Sequence, residues 1–213
     1  IYDERSPKYV DHLNKTFYFL EDGRCFIVRE ETSTGYMHLY LYGIGQGVLH
    51  PITQGEWEVT DFVGLRGDKV YYISTESSPL KRDLYRVGLD GKHKERLTPG
   101  DGYYSIYPSA DLSYYICEGG DSSAPGRTDV FNAAGKRVRT LYDNAPLKEA
   151  LVEAGLPVRE FFTFTTERGD ELNGYMLKPL DFDPAKRYPV LLTQYSGPGS
   201  QQVAEGWGPD WAD

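Results

Sequence analysis

Residues 39–55 read LYLYGIGQGVLHPITQG, and residues 84–100 read LYRVGLDGKHKERLTPG. Leu39, Tyr40, Thr53 and Gly55 recur as Leu84, Tyr85, Thr98 and Gly100 at a constant offset of 45. In both copies an aromatic strand runs through a glycine turn into a second strand that ends in Thr-x-Gly. A looser third copy follows in Val130-Phe131, Gly135-Lys136 and Val138-Arg139-Thr140-Leu141. Each copy is preceded by an apolar strand pattern (Phe26–Val28, Val70–Ile73, Tyr114–Cys117) and, before that, by a shorter one (Phe17–Leu20, Val59–Val63, Tyr104–Tyr107). A unit of ~40–50 residues with four strands is the signature of a β-propeller blade. The offset holds at four positions at once, which separates this pattern from a set of unrelated hairpins.

Two glycine-containing stretches are turns on this reading. Gly43-Ile44-Gly45-Gln46-Gly47 lacks the dinucleotide-binding spacing and has no helix pattern behind it, so it joins two strands. Asp90-Gly91 is a type I′ hairpin signal between Leu84–Leu89 and the next strand. The repeat stops near Tyr142. Asn144-Ala145-Pro146 then offers a cap and an early proline, Leu147, Ala150, Leu151 and Ala154 share a helical face, and Gly155 and Pro157 close the helix. Strand patterns at 161–165, 172–178 and 190–194 follow. The third is a continuous apolar run suited to a sheet covered on both faces, and it delivers Tyr195 to a Gly/Pro turn. The expected organisation is propeller blades over 1–142, a connector helix over 143–158 and the strands of a second domain over 159–213.

Composition narrows the function. The 213 residues carry 23 basic and 32 acidic side chains, a net charge of −9, so no nucleic-acid partner is expected. Lys92-His93-Lys94-Glu95-Arg96 is interrupted by acid and reads as a solvated hairpin face. Mean hydropathy is −0.54, and no apolar run approaches the ~20 residues that span a bilayer, so this segment should make no membrane contact. Cys25 and Cys117 are too few for a disulfide framework and suit strands as small apolar residues. Eighteen tyrosines and nine phenylalanines fit half-buried pleated sheet. Asn14-Lys15-Thr16 has the N-glycosylation pattern, which matters only in an exported eukaryotic protein.

A complete catalytic site is not found. Gly120-Asp121-Ser122-Ser123-Ala124 fails the nucleophile-elbow pattern at its last position and has no helix behind it. The histidines are His12, His38, His50 and His93, so none follows late enough to serve as general base in hydrolase order. There is no C-x-x-C, H-E-x-x-H, EF-hand or P-loop, and neither metal nor cofactor is expected. Asp181-Phe182-Asp183-Pro184 reads as a polar turn.

Tyr195 closes Tyr188-Pro189-Val190-Leu191-Leu192-Thr193-Gln194-Tyr195-Ser196-Gly197-Pro198-Gly199-Ser200-Gln201. This stretch resembles the YPxLLxxYxGPxSQ segment of the dipeptidyl peptidase IV branch of the prolyl oligopeptidase family of serine peptidases. Ile52–Val59 resembles that branch's ITxGxWEV, Gly35–Tyr40 its GYxHLY, Arg82–Tyr85 its RxLY, and Asn144–Pro157 its connector helix. The resemblance covers most of residues 17–211 in family order. It implies an eight-bladed propeller capping an α/β-hydrolase domain, of which this chain would hold the last three blades and the first strands of the hydrolase. It also implies release of Xaa-Pro and Xaa-Ala dipeptides from free N-termini, with Tyr195 as an oxyanion-hole donor. Phenols keep their proton at neutral pH and can donate to a developing oxyanion. The family's Ser, Asp and His would lie beyond Asp213, leaving this piece alone without activity. Its paired glutamates would lie before Ile1; Glu30-Glu31 lacks the family's aromatic lead-in and is not given their role. The family further implies peptide substrates, docking on the remainder of the catalytic domain, a homodimer, and a periplasmic, secreted or cell-surface location. The alternatives are a non-catalytic relative and a propeller module that binds proteins.

Overall fold

The computed structural model describes residues 2–3, 16–31, 35–195, 197 and 200–208. Asn14 and His12 lie outside them.

Three successive meanders match the repeat. The first blade is β1 (Thr16–Phe19), β2 (Cys25–Glu31), β3 (Met37–Gly43) and β4 (Gly47–Pro51). The second is β5 (Val59–Arg66), β6 (Lys69–Ser74), β7 (Asp83–Gly88) and β8 (Glu95–Arg96). The third is β9 (Tyr103–Pro108), β10 (Tyr114–Gly120), β11 (Arg127–Asn132) and β12 (Arg137–Tyr142). Each forms a four-stranded antiparallel sheet with its strands in chain order. These are blades of a β-propeller.

Alternation along the middle strands decides which neighbour a side chain meets. Val70, Tyr72, Tyr85 and Val87 turn toward the first blade and pack with Ile27, Leu39, Leu41, Ile52 and Val59. Tyr71 and Leu84, on the opposite face, join Leu97, Tyr104, Tyr115, Cys117 and Phe131 against the third. Two core clusters therefore lie between blades, and a third, Phe26, Val28 and Tyr42, lies on the first blade's other face. Burying one such side chain fully contributes ~1.5–3 kcal/mol, so each blade depends on a neighbour for most of its stabilisation. Tyr72 faces Tyr85 across the β6–β7 ladder with ring centroids 5.7 Å apart, and Tyr115 faces Phe131 across β10–β11 at 5.4 Å. The repeat places equal residues in equal places. Leu39 and Leu84 face the following blade, whereas Tyr40 and Tyr85 face back along the chain.

Each blade also holds a polar pin. His38 Nδ1 accepts from Thr53 Oγ1 (3.1 Å), its Nε2 donates to the Gly55 carbonyl (3.0 Å), and Thr53 Oγ1 in turn accepts from the Leu39 N–H (2.9 Å). Forty-five residues on, Asp83 accepts from Thr98 Oγ1 (2.5 Å), Arg96 Nε (3.0 Å) and the Ser77 hydroxyl. In the third blade Asp129 pairs with Arg127 (3.3 Å), which also donates to Thr140 Oγ1 (2.8 Å).

The joints between blades repeat too. Gly91, at φ 77° in the β7–β8 turn, rests against the Pro51 and Ile52 carbonyls, where a Cβ would come within 3.3 Å of both. Gly135, at φ 78° in the β11–β12 turn, rests likewise on Leu97, with 3.0 Å to Cδ2. Ala133 beside it accepts from both Tyr71 Oη and Arg86 Nη1, at 3.0 Å each.

Beyond Tyr142 come α1 (Ala145–Ala154) and a hairpin of β13 (Glu160–Thr165) and β14 (Glu171–Met176). Gly155 ends the helix in the left-handed region, its N–H donating to the Leu151 and Val152 carbonyls.

Three expectations need correction. Asn144 itself is left-handed (φ 55°) and its side chain donates to the Gly126 carbonyl (2.6 Å), so Asp143 Oδ1 instead accepts from the Ala145 N–H (3.1 Å). Asp90-Gly91 is not a two-residue turn. Only Gly91 of the pair has positive φ, and Gly88 N–H reaches over it to the Lys92 carbonyl (2.7 Å), giving a longer loop. The run 190–194 is not a strand. Val190, Leu191 and Leu192 are 89%, 83% and 83% exposed. An apolar run becomes a strand only where neighbours take up its backbone groups and cover its faces, and no strand pairs with it among the described residues.

Candidate active site

Tyr195 stands on the extended segment that follows β14 and is 64% exposed. Gly197 lies beneath its ring: a Cβ there would fall 2.6 Å from Tyr195 Cε1 and 2.9 Å from its hydroxyl oxygen. A residue with any side chain would displace the ring, so the Tyr-x-Gly spacing sets the ring's resting place. The segment then returns to the second blade, where the Glu205 N–H donates to the Leu80 carbonyl (2.8 Å). Arg159, just before β13, donates to the Gly206 and Gly208 carbonyls at 2.8 Å each. The chain beyond Tyr195 is thus held at residues 205–208 by the second blade and by Arg159, while Tyr195 itself is exposed. A cavity of about 430 Å³ opens between β5 and β9, lined by Asp61, Arg82, Tyr103, Ser105 and Tyr107 among others, and Tyr195 is not part of its lining.

The other candidates fall into structural roles. His38 is buried, and burial lowers its pKa against the opposing effect of the Gly55 hydrogen bond, so it is a neutral pin inside the first blade. His50 contacts the Pro51 carbonyl (3.1 Å), and His93 occupies the exposed loop after Gly91 at φ 57°. Asp121 Oδ1 accepts from the N–H (2.8 Å) and the hydroxyl of Ser123, which closes a turn directly after β10, so Ser122 sits on a turn between two strands and not on a strand-to-helix elbow. Glu30 is buried and takes the Tyr2 and Tyr42 hydroxyls at 2.5 Å each. That carboxylate is spent on the first blade's outer face. Burial, with the charges of Asp129 and Asp83, pushes the Cys117 thiol up to about 12, which makes it an inert packing group. The described residues contain no cluster that could hold a metal and no helix long and apolar enough to cross a membrane. Sequence reading gave Arg82 and Gln201 no role beyond their motifs, although the structure joins them across 119 positions. No local pattern reports a contact of that range.

Comparison with known proteins agrees with this architecture. Residues 1–125 match the family described as the dipeptidyl peptidase IV (DPP IV) N-terminal region. The chain is 36% identical over 181 residues to a probable dipeptidyl peptidase 4 of Emericella nidulans, covering 82% of this chain and 23% of that protein. It is 34% identical over 206 residues to the Aspergillus flavus counterpart, covering 95% and 26%. The crystal structure of Porphyromonas gingivalis dipeptidyl peptidase 4 superposes with a TM-score of 0.83 at 36% identity, over 92% of this chain and 28% of that one. The chain thus spans about a quarter of the length of these relatives. With its blades, its repeat and these matches together, the chain belongs to the dipeptidyl peptidase IV N-terminal-region family.

Proposed function

We propose that this chain is part of a serine-type dipeptidyl peptidase that releases Xaa-Pro and Xaa-Ala dipeptides from peptide N-termini, and that Tyr195 donates to the oxyanion of that reaction. Residues 1–142 are then the C-terminal blades of the propeller, 143–158 the connector, and 159–213 the start of the α/β-hydrolase domain. Support comes from the names and structure of the relatives and from the geometry of Tyr195. The observation that carries the reading is the pairing of an exposed phenol with a glycine beneath it, on a segment anchored to the second blade. A serine attacking the carbonyl of the substrate's second residue generates a tetrahedral oxyanion. A neutral phenol held in place donates to it more strongly than to the ground-state carbonyl.

The test is Tyr195→Phe in the full-length protein, with an Xaa-Pro amide as substrate. Loss of one such donor lowers kcat by about 10²–10³ and leaves KM within about twofold. A near-normal kcat overturns the role. A full-length wild-type protein that folds, binds peptides and turns nothing over would favour the non-catalytic relative.

A further inference from the structure

The loop between β6 and β7 in the second blade grips the chain that follows Tyr195. Gln201, six residues after Tyr195, sits at the centre of this contact. Its Nε2 donates to the Pro79 carbonyl (2.8 Å) and to the Val203 carbonyl (2.7 Å), while its Oε1 accepts from the Arg82 guanidinium. Every polar atom of the amide is used, so its orientation is fixed by the blade. Arg82 is itself held. It donates through Nη1 to the Pro79 (3.2 Å) and Lys81 (2.7 Å) carbonyls and lies over the Tyr103 ring at 5.4 Å.

A second contact follows four residues on. Lys81 Nζ reaches the Glu205 carboxylate (3.3 Å) and Asp101 (3.4 Å), and the Glu205 N–H donates to the Leu80 carbonyl. The Lys81 side chain is only 16% exposed. Desolvation works to lower its pKa, but bonding to Glu205 and Asp101 prevails and raises it, so the ammonium is a fixed member of the contact. Gly206 completes the fit. A Cβ there would stand 3.1 Å from Tyr103 Cβ, so the segment packs directly against the base of that side chain.

The loop has a rigid base. Ser77 donates to Asp83 of the second blade's pin, the Lys81 N–H closes onto the Ser78 carbonyl (3.1 Å), and Leu80 is buried. A buried carboxylate in the propeller is therefore linked through a short, hydrogen-bonded loop to the segment that carries the phenol.

We propose that Arg82 and Gln201 are positioning residues for Tyr195, the propeller holding the oxyanion donor in register through this clasp. The proposal rests on the reading of Tyr195 as that donor. Neither residue needs to touch the substrate. Displacement of a catalytic group by ~1 Å from a remote change can cost about 10²-fold in rate. The clasp removes that freedom.

The experiment is a double-mutant cycle in the full-length protein, reading kcat, KM and Tm with an Xaa-Pro amide. Arg82→Met should lower kcat roughly tenfold or more with KM within about twofold, and Arg82→Lys, which keeps a cationic donor, should recover part of the loss. In the Tyr195→Phe background Arg82→Met should add nothing, because there is no hydroxyl left to misplace. An equal loss in both backgrounds, or a fall in Tm with kcat intact, overturns the proposal. If Tyr195→Phe alone has normal kcat, the donor reading fails, and that result is distinct from a defective Tyr195→Phe beside a normal Arg82→Met. Should Arg82→Met not fold, Gln201→Met removes the same contact from an exposed position, and the same cycle decides.

Discussion

The first and second blades solve one problem with different chemistry. Both must hold the threonine of Thr-x-Gly at the mouth of the third strand. The first blade uses His38, a neutral ring that accepts from Thr53 and donates to Gly55. The second uses Asp83, whose carboxylate accepts from Thr98, Arg96 and Ser77. The site asks only for a buried acceptor facing the threonine hydroxyl. Once a carboxylate fills it, further donors must gather, because a buried charge left without partners is far costlier than a neutral ring. The ionic version therefore recruits a wider network, including the loop that grips Gln201. The neutral version stays local.

The largest way to break the comparison is Asp83→Ala. It strands Thr98 and Ser77 and leaves Arg96 without its carboxylate, and removing one member of a buried pair costs about 3–5 kcal/mol. Because Arg96 is 31% exposed, the lower end is expected, read as a shift in the urea midpoint. A loss below about 1 kcal/mol would mean that the network contributes little. Next is Thr53→Val in the first blade. It deprives both the His38 ring and the Leu39 N–H of a partner, at about 1–3 kcal/mol for a buried unsatisfied group. A neutral result would show that water replaces the hydroxyl.

The smallest expected effect is the pH response of the neutral pin. Burial keeps the folded His38 pKa below its ordinary value of 6.5. In the unfolded chain the ring takes up a proton as pH falls through that value, so the unfolded state binds more protons there and the contribution to stability is lost with acidification. Above about pH 7.5, where the unfolded ring is also neutral, it is fully present. The urea midpoint should thus decline between about pH 7.5 and 5.5, and His38→Gln should flatten that decline. An unchanged slope in the variant would assign the decline to other groups.

Much of this was legible in the sequence because it is periodic. An offset of 45 located the middle strands, and extending it by one residue pairs His38 with Asp83, a signal present in the chain but carrying different letters. Strand alternation likewise separates the residues that face each neighbour. What failed was what depends on partners. Val190–Leu192 has the composition of a doubly covered strand, but composition does not supply neighbouring strands. Asn144 has a capping residue's chemistry, but the nearby Gly126 carbonyl claims its amide. Tyr195 was singled out only through a motif, and the Arg82–Gln201 contact spans too much chain for any local rule.

The joints at Gly91 and Gly135 carry a consequence for how such a chain can grow. The second and third blades each present a glycine turn that reaches back, and Ile52 and Leu97, 45 residues apart, receive it, the first through its carbonyl and the second through its side chain. One stretch of about 45 residues therefore encodes both halves of its own joint. Duplication of the corresponding length of gene would add a blade that carries the glycine and its seat together. Drift at either half would be felt by the adjoining copy, so successive blades are free to diverge in their pins and loops but not in where they touch.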